Sequence, residues 1–307
     1  MKILMTGSSG VIGSHLQEIL KKDHDIHHLV ADLRSYQDVQ QEVLAVKPDI
    51  IVHLAARTEV EQSFYEQITF SEINYVGTVN LIEAAAKVKN LKNFVFASTM
   101  EVYGWQPISD EVEEKGIPKK FIAFDENTVP NPNAPYAVAK YGCEKYLEYA
   151  HRCYNLPFTA LRQTNCYGRK DNEFFVTEQI ISQMLINPDE CNLGYGEPYR
   201  NFIYVDDMLD AWTTVINNPD KCNDGKIFTI GPDNPIKIKD YAELIAKKLN
   251  WNGVINWNTK LFRAGEIYWL NSNHNLITKT LGWKPKVTLD EGLDKTIEIW
   301  QKKVNGS

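Results

Sequence analysis

Tyr136 and Lys140 are the residues whose types and spacing best predict acid–base chemistry. Residues four apart lie on one face of an α-helix, so the phenol and the ammonium would share one site. A tyrosine titrates near ~10 when unperturbed, and a neighbouring cation favours its phenolate, which can then act as a base. A surface pair on an amphipathic helix is the commoner reason for this spacing when it stands alone. A glycine-rich segment upstream, with Ser98 and Thr99 between them, makes chance a poor explanation.

The glycine-rich segment near the amino terminus predicts an anion-binding turn. Its sequence is Gly7-Ser8-Ser9-Gly10-Val11-Ile12-Gly13, and it follows a predicted strand and opens a predicted helix. Glycines let the backbone turn tightly and approach a pyrophosphate, which then lies at the positive end of the helix. The alternative is a plain glycine-rich turn. The spacing also differs from the Gly-x-Gly-x-x-Gly of simple dehydrogenases.

The elements that would position these residues alternate between strands and helices through the first half of the chain. Apolar runs predict strands at 2–6, 50–55, 93–98 and 158–162. Helical patterns fall between them at 11–22, 66–88 and 135–153. Continuous apolar strands that alternate with helices predict an α/β fold with a parallel sheet covered on both faces.

The second half of the chain is less regular and predicts a smaller C-terminal lobe packed against the sheet. One strand is predicted at 226–230, and helices are predicted at 174–186, 206–217, 238–249 and 288–303. The 307 residues suit two packed units or one large α/β unit.

Composition argues against several classes of protein. There are 33 Lys and Arg against 40 Asp and Glu, a net charge of −7, so nothing favours binding to a nucleic-acid backbone. The five cysteines are scattered without a C-x-x-C pair, and the seven histidines lack metal-ligand spacing, so we expect no disulfide framework and no metal site. The amino-terminal residues turn polar too early for a secretion signal, and no run reaches the ~20 apolar residues of a membrane span. We therefore expect a cytoplasmic protein without a membrane partner.

Several further motifs occur in an order that resembles one enzyme family. They are His53-Leu54-Ala55-Ala56, Asn74-Tyr75-Val76-Gly77-Thr78, Thr99-Met100-Glu101-Val102-Tyr103-Gly104, Tyr136-x-x-x-Lys140, the segment 161–168, the segment 200–207 and the segment 281–285. Together with the glycine loop they resemble the extended short-chain dehydrogenases/reductases, in the NAD-dependent nucleotide-sugar epimerase and dehydratase branch. The resemblance covers essentially the whole chain.

This resemblance implies a Rossmann-type, doubly wound parallel sheet with a smaller C-terminal α/β lobe that binds the substrate. The Rossmann domain would comprise residues 1–165, rejoined by about 202–231. The lobe that binds the nucleotide sugar would comprise 166–201 and 232–307. Relatives often form homodimers through two helices, and the corresponding helices here would be those near 66–88 and 135–153.

The resemblance also implies catalytic roles. Tyr136 would take the proton from the C4 hydroxyl of the sugar while hydride passes to NAD, and Lys140 would hold the nicotinamide ribose and lower the pKa of the tyrosine. Thr99 would hydrogen-bond the reacting oxygen. Glu101 resembles the carboxylate of the 4,6-dehydratases, which can remove the C5 proton once C4 is a ketone.

Three functions stay open from the sequence. Glu101 favours a 4,6-dehydratase, whereas Met100 replaces the aspartate that assists water loss in dTDP-glucose dehydratases, because methionine cannot donate a proton. The first alternative is a nucleotide-sugar 4-epimerase. The second is a catalytically inactive regulator that senses the cofactor, against which Thr99, Tyr136 and Lys140 all speak.

The binding residues follow from the same resemblance. NAD would contact Gly7, Ser9, Gly10, Val11, Ile12, Gly13, Asp32, Leu33, Leu54, Ala55, Ala56 and Asn74, together with Tyr136 and Lys140. Asp32 stands in a shortened stretch at 24–47 and would serve the adenine, the ribose or both, while Arg34 leaves NADP open because a guanidinium suits a 2′-phosphate. The nucleoside-diphosphate sugar would contact Asn165, Thr177, Arg200 and Arg263, the two arginines through its diphosphate.

Overall fold

A parallel sheet of six strands organises the protein. The computed structural model describes residues 1–106, 118–119, 122–168, 173–260, 265–304 and 306. Its strands are β1 (Lys2–Thr6), β2 (Asp25–His28), β3 (Ile50–His53), β4 (Asn93–Thr99), β5 (Phe158–Gln163), β6 (Asn165–Tyr167), β7 (Glu190–Asn192), β8 (Tyr199–Arg200), β9 (Phe202–Tyr204), β10 (Asp224–Ile230), β11 (Ile236–Lys237) and β12 (Val254–Asn256).

The order of the strands creates a crevice at one edge of the sheet. The spatial order is β10-β5-β4-β3-β1-β2, and each neighbouring pair is parallel. The chain runs outward from β1 to β2 and then returns to place β3 on the other side of β1. In open parallel sheets, ligands bind outside the carboxyl ends of the strands at such a switch point. The α/β prediction is confirmed, and the site should lie near β1 and β3.

Helices cover both faces of this sheet. They are α1 (Val11–Leu20), α2 (Tyr36–Val46), α3 (Val60–Ser63), α4 (Gln67–Phe70), α5 (Gly77–Ala85), α6 (Pro135–Tyr154), α7 (Val176–Ile186), α8 (Val205–Asn217), α9 (Ile238–Leu249), α10 (Asn275–Leu281) and α11 (Leu289–Val304). Because side chains alternate across a strand, Ile3 and Met5 pack with α1 and α8, whereas Leu4 packs with α2 and α5. The inner strands β1, β3, β4 and β5 are therefore buried from both sides, which explains their largely apolar sequences.

The helix predicted at 66–88 is divided in the structure. A wide π-helical turn, Ser71–Val76, separates α4 from α5. The carbonyl of Asn74, within this turn, accepts hydrogen bonds from the Thr78 hydroxyl at 2.7 Å and the Cys143 thiol at 3.2 Å. Side-chain hydrogen bonds of this kind compete with the regular helical ladder, and π-turns of this type often mark functional sites.

The C-terminal residues pack against the segment that follows β4. Ile267, Trp269 and Leu270 share one apolar cluster with Met100 and Tyr103. The shorter strands form three pairs outside the main sheet, namely β11 with β8, β12 with β7, and β6 with β9. In the part of the chain that the structure describes, no helix has the length and apolar composition needed to cross a bilayer.

Candidate active site

A cleft of about 510 Å³ opens at the carboxyl ends of β1, β3, β4 and β5. Many of the residues predicted from sequence line it together: Gly7, Ser9, Gly10, Val11, Ile12, Gly13, Leu54, Ala55, Ala56, Thr99, Glu101, Tyr136, Lys140 and Asn165. The fold therefore brings the glycine loop, the Tyr-Lys pair and the carboxylate of Glu101 to one cavity at the switch point of the sheet.

The glycine loop has the backbone conformation and the space that a pyrophosphate needs. Gly7 has a φ of +70°, and a Cβ added there would lie 2.5 Å from the Ala55 nitrogen. A Cβ on Gly13 would lie 2.2 Å from the Gly7 carbonyl oxygen, whereas one on Gly10 would lie 3.3 Å from that oxygen. Among the described residues, no side chain caps the start of α1 and its first turn holds no acid. The exposed amides and the helix dipole thus face the cleft and fit the pyrophosphate of a dinucleotide.

Lys140 is buried beneath Tyr136. Its side chain is 2% exposed, and its Nζ donates to the Ala97 carbonyl at 2.8 Å. The ammonium lies 4.8 Å from the ring centre of Phe96 and 6.0 Å from that of Tyr136. Burial lowers the pKa of Lys140 to about 8, against the opposing influence of Cys143 and Glu144. A cation held this close to the phenol favours the phenolate of Tyr136, as its role as a base requires.

Thr99 ends β4, and Glu101 follows it on a short 3₁₀ helix, Met100–Tyr103. The backbone N–H of Glu101 donates to Thr99 Oγ1 at 3.2 Å. Thr99 also lines the cleft, so its hydroxyl can donate to a ligand oxygen there.

A buried chain of hydrogen bonds fixes the floor of the cleft between β1 and β3. His53 Nδ1 lies 2.6 Å from Thr6 Oγ1, and His53 Nε2 lies 2.8 Å from Thr78 Oγ1. The Ala55 N–H donates to Thr6 Oγ1, and the Thr78 hydroxyl donates to the Asn74 carbonyl. Burial lowers the pKa of His53 to about 3, so the ring is neutral. Since the Thr78 proton is already directed at Asn74, we assign the His53 proton to Nε2, and Thr6 donates to Nδ1.

Asn74 lies outside the lining of the cleft but holds one of its loops. Its Oδ1 accepts from the Arg57 backbone N–H at 2.8 Å, and its Nδ2 donates to the Arg57 carbonyl at 2.9 Å. These two bonds fix the segment that contains Ala55, Ala56 and Thr58, which do line the cleft. Asn74 is thus placed to brace the site.

Asp32 and Leu33, predicted for the adenosine end of the cofactor, also lie outside the lining. The exposed Asp32 carboxylate accepts from Arg34 Nε at 3.0 Å and from Arg34 Nη2 at 2.6 Å, and these bonds lower the pKa of Asp32 to about 2. The Leu33 carbonyl accepts from Asn80 Nδ2 at 2.8 Å. Just before them, the Glu42 carboxylate accepts from the backbone N–H groups of residues 30 and 31. A role at the adenosine end stays a prediction for both residues.

The other predicted substrate residues are dispersed. Thr177 is buried, with its hydroxyl 2.9 Å from that of Tyr241. Arg200 donates to the Glu266 carboxylate at 2.9 Å, in a buried ion pair, and to the Tyr199 carbonyl. Arg263 lies outside the described residues. Of the described members of this group, Asn165 lines the cleft and Thr177 and Arg200 do not, and the substrate contacts stay predictions.

Sequence reasoning missed part of the lining. Among the residues it did not select as binding residues are Thr58, Gln163, Thr164, Met208 and Leu270. Gln163 ends β5 and Thr164 follows it, and their position at the carboxyl end of a parallel strand could have identified them. Met208 and Leu270 arrive from distant segments, and their local sequence carries no such signal.

Comparison with known proteins agrees with this geometry. Residues 3–231 match the model of the family described as NAD dependent epimerase/dehydratase. The chain is 30% identical to a dTDP-D-glucose 4,6-dehydratase of Dictyostelium discoideum, over 98% of this chain and 81% of that protein. It is 27% identical to a putative UDP-glucose 4-epimerase of Methanocaldococcus jannaschii, over 99% of both.

A solved structure shows the same architecture. It is the UDP-glucose 4-epimerase of Thermotoga maritima with UDP-glucose, at 26% identity and a TM-score of 0.84. The match covers 99% of this chain and 100% of the other. Dehydratases and epimerases thus appear among the similar proteins at comparable identity.

Proposed function

This chain belongs to the NAD-dependent epimerase/dehydratase family, and on that basis we propose that it binds NAD in the cleft and oxidises a nucleoside-diphosphate sugar at C4. The observation that carries the proposal is the convergence of the glycine loop, Thr99, Tyr136 and Lys140 on one cavity. A catalytically inactive regulator would not need a buried, desolvated lysine beneath the tyrosine.

The cofactor would be held by the glycine loop, by Leu54, Ala55 and Ala56, and by Lys140. Bound NAD supplies an acceptor for hydride and afterwards returns it. The amides at the start of α1 bind the pyrophosphate, and Asp32 and Leu33 would face the adenosine. NAD is favoured over NADP because the Arg34 guanidinium, which could hold a 2′-phosphate, is already bonded to the Asp32 carboxylate.

The chain's own residues divide the oxidation step between them. Tyr136, as phenolate, removes the proton of the C4 hydroxyl. The ammonium of Lys140 stabilises that phenolate. Thr99 donates its hydroxyl proton to the same sugar oxygen and fixes its position. Leu54, Ala97 and Leu270 line the cavity with apolar surface, which strengthens these electrostatic interactions by excluding water.

We propose 4,6-dehydration as the outcome of the reaction, with Glu101 as the base that removes the C5 proton. Glu101 is a carboxylate in the lining of the cleft, one residue beyond Met100. Because Met100 has no proton to donate, the carboxyl of Glu101 would pass the C5 proton to the departing C6 hydroxyl. One water would leave. C6 would then receive the hydride back and C5 would receive the proton that Tyr136 took from the C4 hydroxyl, so the protein would end with the protons it started with.

The second candidate is 4-epimerisation, which Met100 favours. A methionine in the lining offers apolar surface where an acid would assist the departure of water. Epimerisation needs no acid there, only rotation of the 4-keto sugar before reduction. A full-length structural match to a 4-epimerase supports the same candidate.

The mass of the product separates these candidates. Purified protein is incubated with NAD and with GDP-, UDP-, dTDP- and CDP-sugars, and the products are analysed by mass spectrometry. A product lighter by one water indicates dehydration, whereas a new isomer of unchanged mass indicates epimerisation. No conversion across the panel would contradict both and favour the regulator.

Two variants test the assigned roles. We expect Tyr136→Phe to lower turnover at least 100-fold in either reaction, because it removes the base. We expect Glu101→Gln to abolish loss of water with little change in substrate affinity. Full activity in Tyr136→Phe, or continued loss of water in Glu101→Gln, would contradict the corresponding role.

We also propose a cytoplasmic homodimer. Ile68 on α4 and Val138 on α6 are 76% and 55% exposed. Nearby, a largely apolar depression lies between the same helices, lined by Tyr75, Pro135 and Gly142 among others. A second copy of the chain would cover this surface.

A further inference from the structure

A polar network lies behind the cleft, between the sheet and α6. Ser98 pairs in register with Arg162, and Arg162 with Thr229, so three polar side chains stand in a row across β4, β5 and β10. Glu144 on α6 contacts this row, and so does Tyr103 on the short helix that follows β4. Glu144 and Arg162 are 0% and 3% exposed, so the network is shielded from solvent.

Glu144 and Arg162 form the centre of this network. Arg162 Nε donates to Glu144 Oε1 at 3.0 Å, and Nη2 donates to Oε2 at 2.7 Å. The Ser98 hydroxyl donates to Oε1 as well. A bidentate contact of this kind fixes both the distance and the relative orientation of the two side chains.

Tyr103 joins the other end of Arg162. Arg162 Nη1 donates to the Tyr103 oxygen at 3.1 Å, and the Tyr103 hydroxyl donates to the Asp125 carbonyl at 2.7 Å. The Thr229 hydroxyl, 2.9 Å away, must then be the donor in its bond with Tyr103. The phenol oxygen thus accepts twice and donates once, which satisfies it fully.

Two members of the network adjoin candidate catalytic residues along the chain. Ser98 directly precedes Thr99 on β4, and Tyr103 ends the short helix that carries Glu101. The bond from Ser98 to Glu144 and the bond from Arg162 to Tyr103 therefore fix both ends of the segment that holds Thr99 and Glu101.

Glu144 extends the same connection to the Tyr-Lys pair. Tyr136, Lys140 and Glu144 are spaced by four residues on α6, so they share one face of the helix. When Glu144 binds Arg162, it fixes the rotation of this face relative to β4 and β5. The network thus joins the segment of Thr99 and Glu101 to the helix of Tyr136 and Lys140.

We propose that Glu144 and Arg162 act as a positioning pair that aligns Thr99, Glu101, Tyr136 and Lys140 for the reaction. This inference rests on the function proposed above, because it assigns the pair a part in that chemistry. Neither side chain needs to touch the substrate. Glu144 acts on Lys140 through its charge and on the other residues through its hydrogen bonds.

The charge of Glu144 acts against the cost of burying Lys140. The titratable groups around Lys140 are Tyr136, Cys143 and Glu144 on α6 and His53 on β3. Burial lowers the pKa of Lys140, and the Glu144 carboxylate raises it. Without this negative charge, less opposes the lowering of the Lys140 pKa by burial. Lys140 should therefore lose its proton at lower pH.

The test uses Glu144→Gln, which keeps the shape and removes the charge, with Asp207→Asn as a matched control. Asp207 is also a buried carboxylate, but it binds the backbone N–H groups of Lys286 and Val287. Lys140 is titrated through its ¹³Cε signal, assigned as the resonance that disappears in Lys140→Met. We expect the titration to move down by at least one pH unit in Glu144→Gln and to stay in place in Asp207→Asn.

Kinetics give a second readout. We expect kcat of Glu144→Gln to fall at least tenfold with KM within threefold of wild type, and the alkaline limb of the pH profile to move down with the Lys140 titration. Asp207→Asn should change stability without either effect. A wild-type Lys140 titration and a wild-type kcat in folded Glu144→Gln would overturn the proposal.

A double variant covers the case in which Glu144→Gln does not fold because Arg162 is left buried and unpaired. Glu144→Leu with Arg162→Met replaces the pair by apolar side chains of similar size. Lys140 should again titrate lower, since Glu144 is, after Cys143, one of the groups that raise its pKa, and Arg162 is not among the groups that act on it. An unchanged titration would overturn the proposal. If wild type converts no nucleotide sugar, the proposed function fails, and the Lys140 titration still decides the inference.

Discussion

Alanine substitutions at Gly13 and Gly10 should separate two roles of the glycine loop. One is the close packing of the loop backbone against the start of α1, and the other is the binding of the pyrophosphate. A Cβ on Gly13 would lie 2.2 Å from the Gly7 carbonyl and 2.8 Å from Ser8 Cα, and both contacts are with backbone that has no rotamer to change. Either the start of α1 or the loop must move. Overpacking of this kind costs about 1–3 kcal/mol, which at about 2–4 °C per kcal/mol lowers Tm by about 2–12 °C.

Gly10→Ala should instead weaken NAD binding and leave stability almost unchanged. Its φ of −70° is allowed for alanine, and its Cβ would lie 3.3 Å from the Gly7 oxygen, so little needs to shift. The added methyl would instead occupy the space where the pyrophosphate approaches the backbone. We expect Tm within about 2 °C of wild type, since overlap with backbone is small, and at least a tenfold loss of NAD affinity, equivalent to about 1.4 kcal/mol.

Differential scanning fluorimetry and calorimetric titration with NAD measure the two effects on the same samples. Equal destabilisation by both variants would refute the steric assignment of Gly13. Wild-type NAD affinity in Gly10→Ala would refute the placement of the pyrophosphate at the start of α1, and with it the use of this cleft by a dinucleotide.

Two further predictions concern Lys140 and the proposed dimer. Because burial lowers the pKa of Lys140 from 10.5 to about 8, the folded protein binds fewer protons than the unfolded chain between these values, and stability rises with pH across this window. Relative to Lys140→Met, the wild-type free energy of unfolding should increase by about 2–3 kcal/mol between pH 7 and pH 10 in urea titrations; a constant difference would contradict the burial argument. Val138→Asp should convert the dimer to monomer in light scattering, whereas Val254→Asp, which is also exposed, should not; a dimeric Val138→Asp protein would place the interface elsewhere.

Sequence patterns predicted those elements whose geometry is determined by residues close together in the chain. The first strand and the glycine loop are one example, since strand, turn and helix follow one another within about twenty residues. The pair of Tyr136 and Lys140 is another, because helical spacing alone places them on one face. In each case the residues that determine the geometry are neighbours in the chain.

Tertiary contacts explain what the sequence left open. The π-turn between α4 and α5 depends on Cys143 from another helix, so no periodicity at 66–88 could reveal it. Arg200 pairs with Glu266, 66 residues away, a contact that its local motif could not indicate. Its predicted contact with a diphosphate stays a prediction. Glu144 was not selected from the sequence, because its pairing with Arg162 depends on how α6 packs against β4 and β5.

The last strand of the sheet has a consequence for how the chain folds. β10 joins the edge of β5 only after the chain has passed through more than fifty residues that lie outside the main sheet. During synthesis, a growing chain presents β5 as an unprotected edge until residue 230 has emerged, and such edges promote association between chains. Closure of this long loop is slow for entropic reasons. We therefore expect that refolding is slowest in the step that docks β10, and that nascent chains ending shortly before it are the most prone to aggregate.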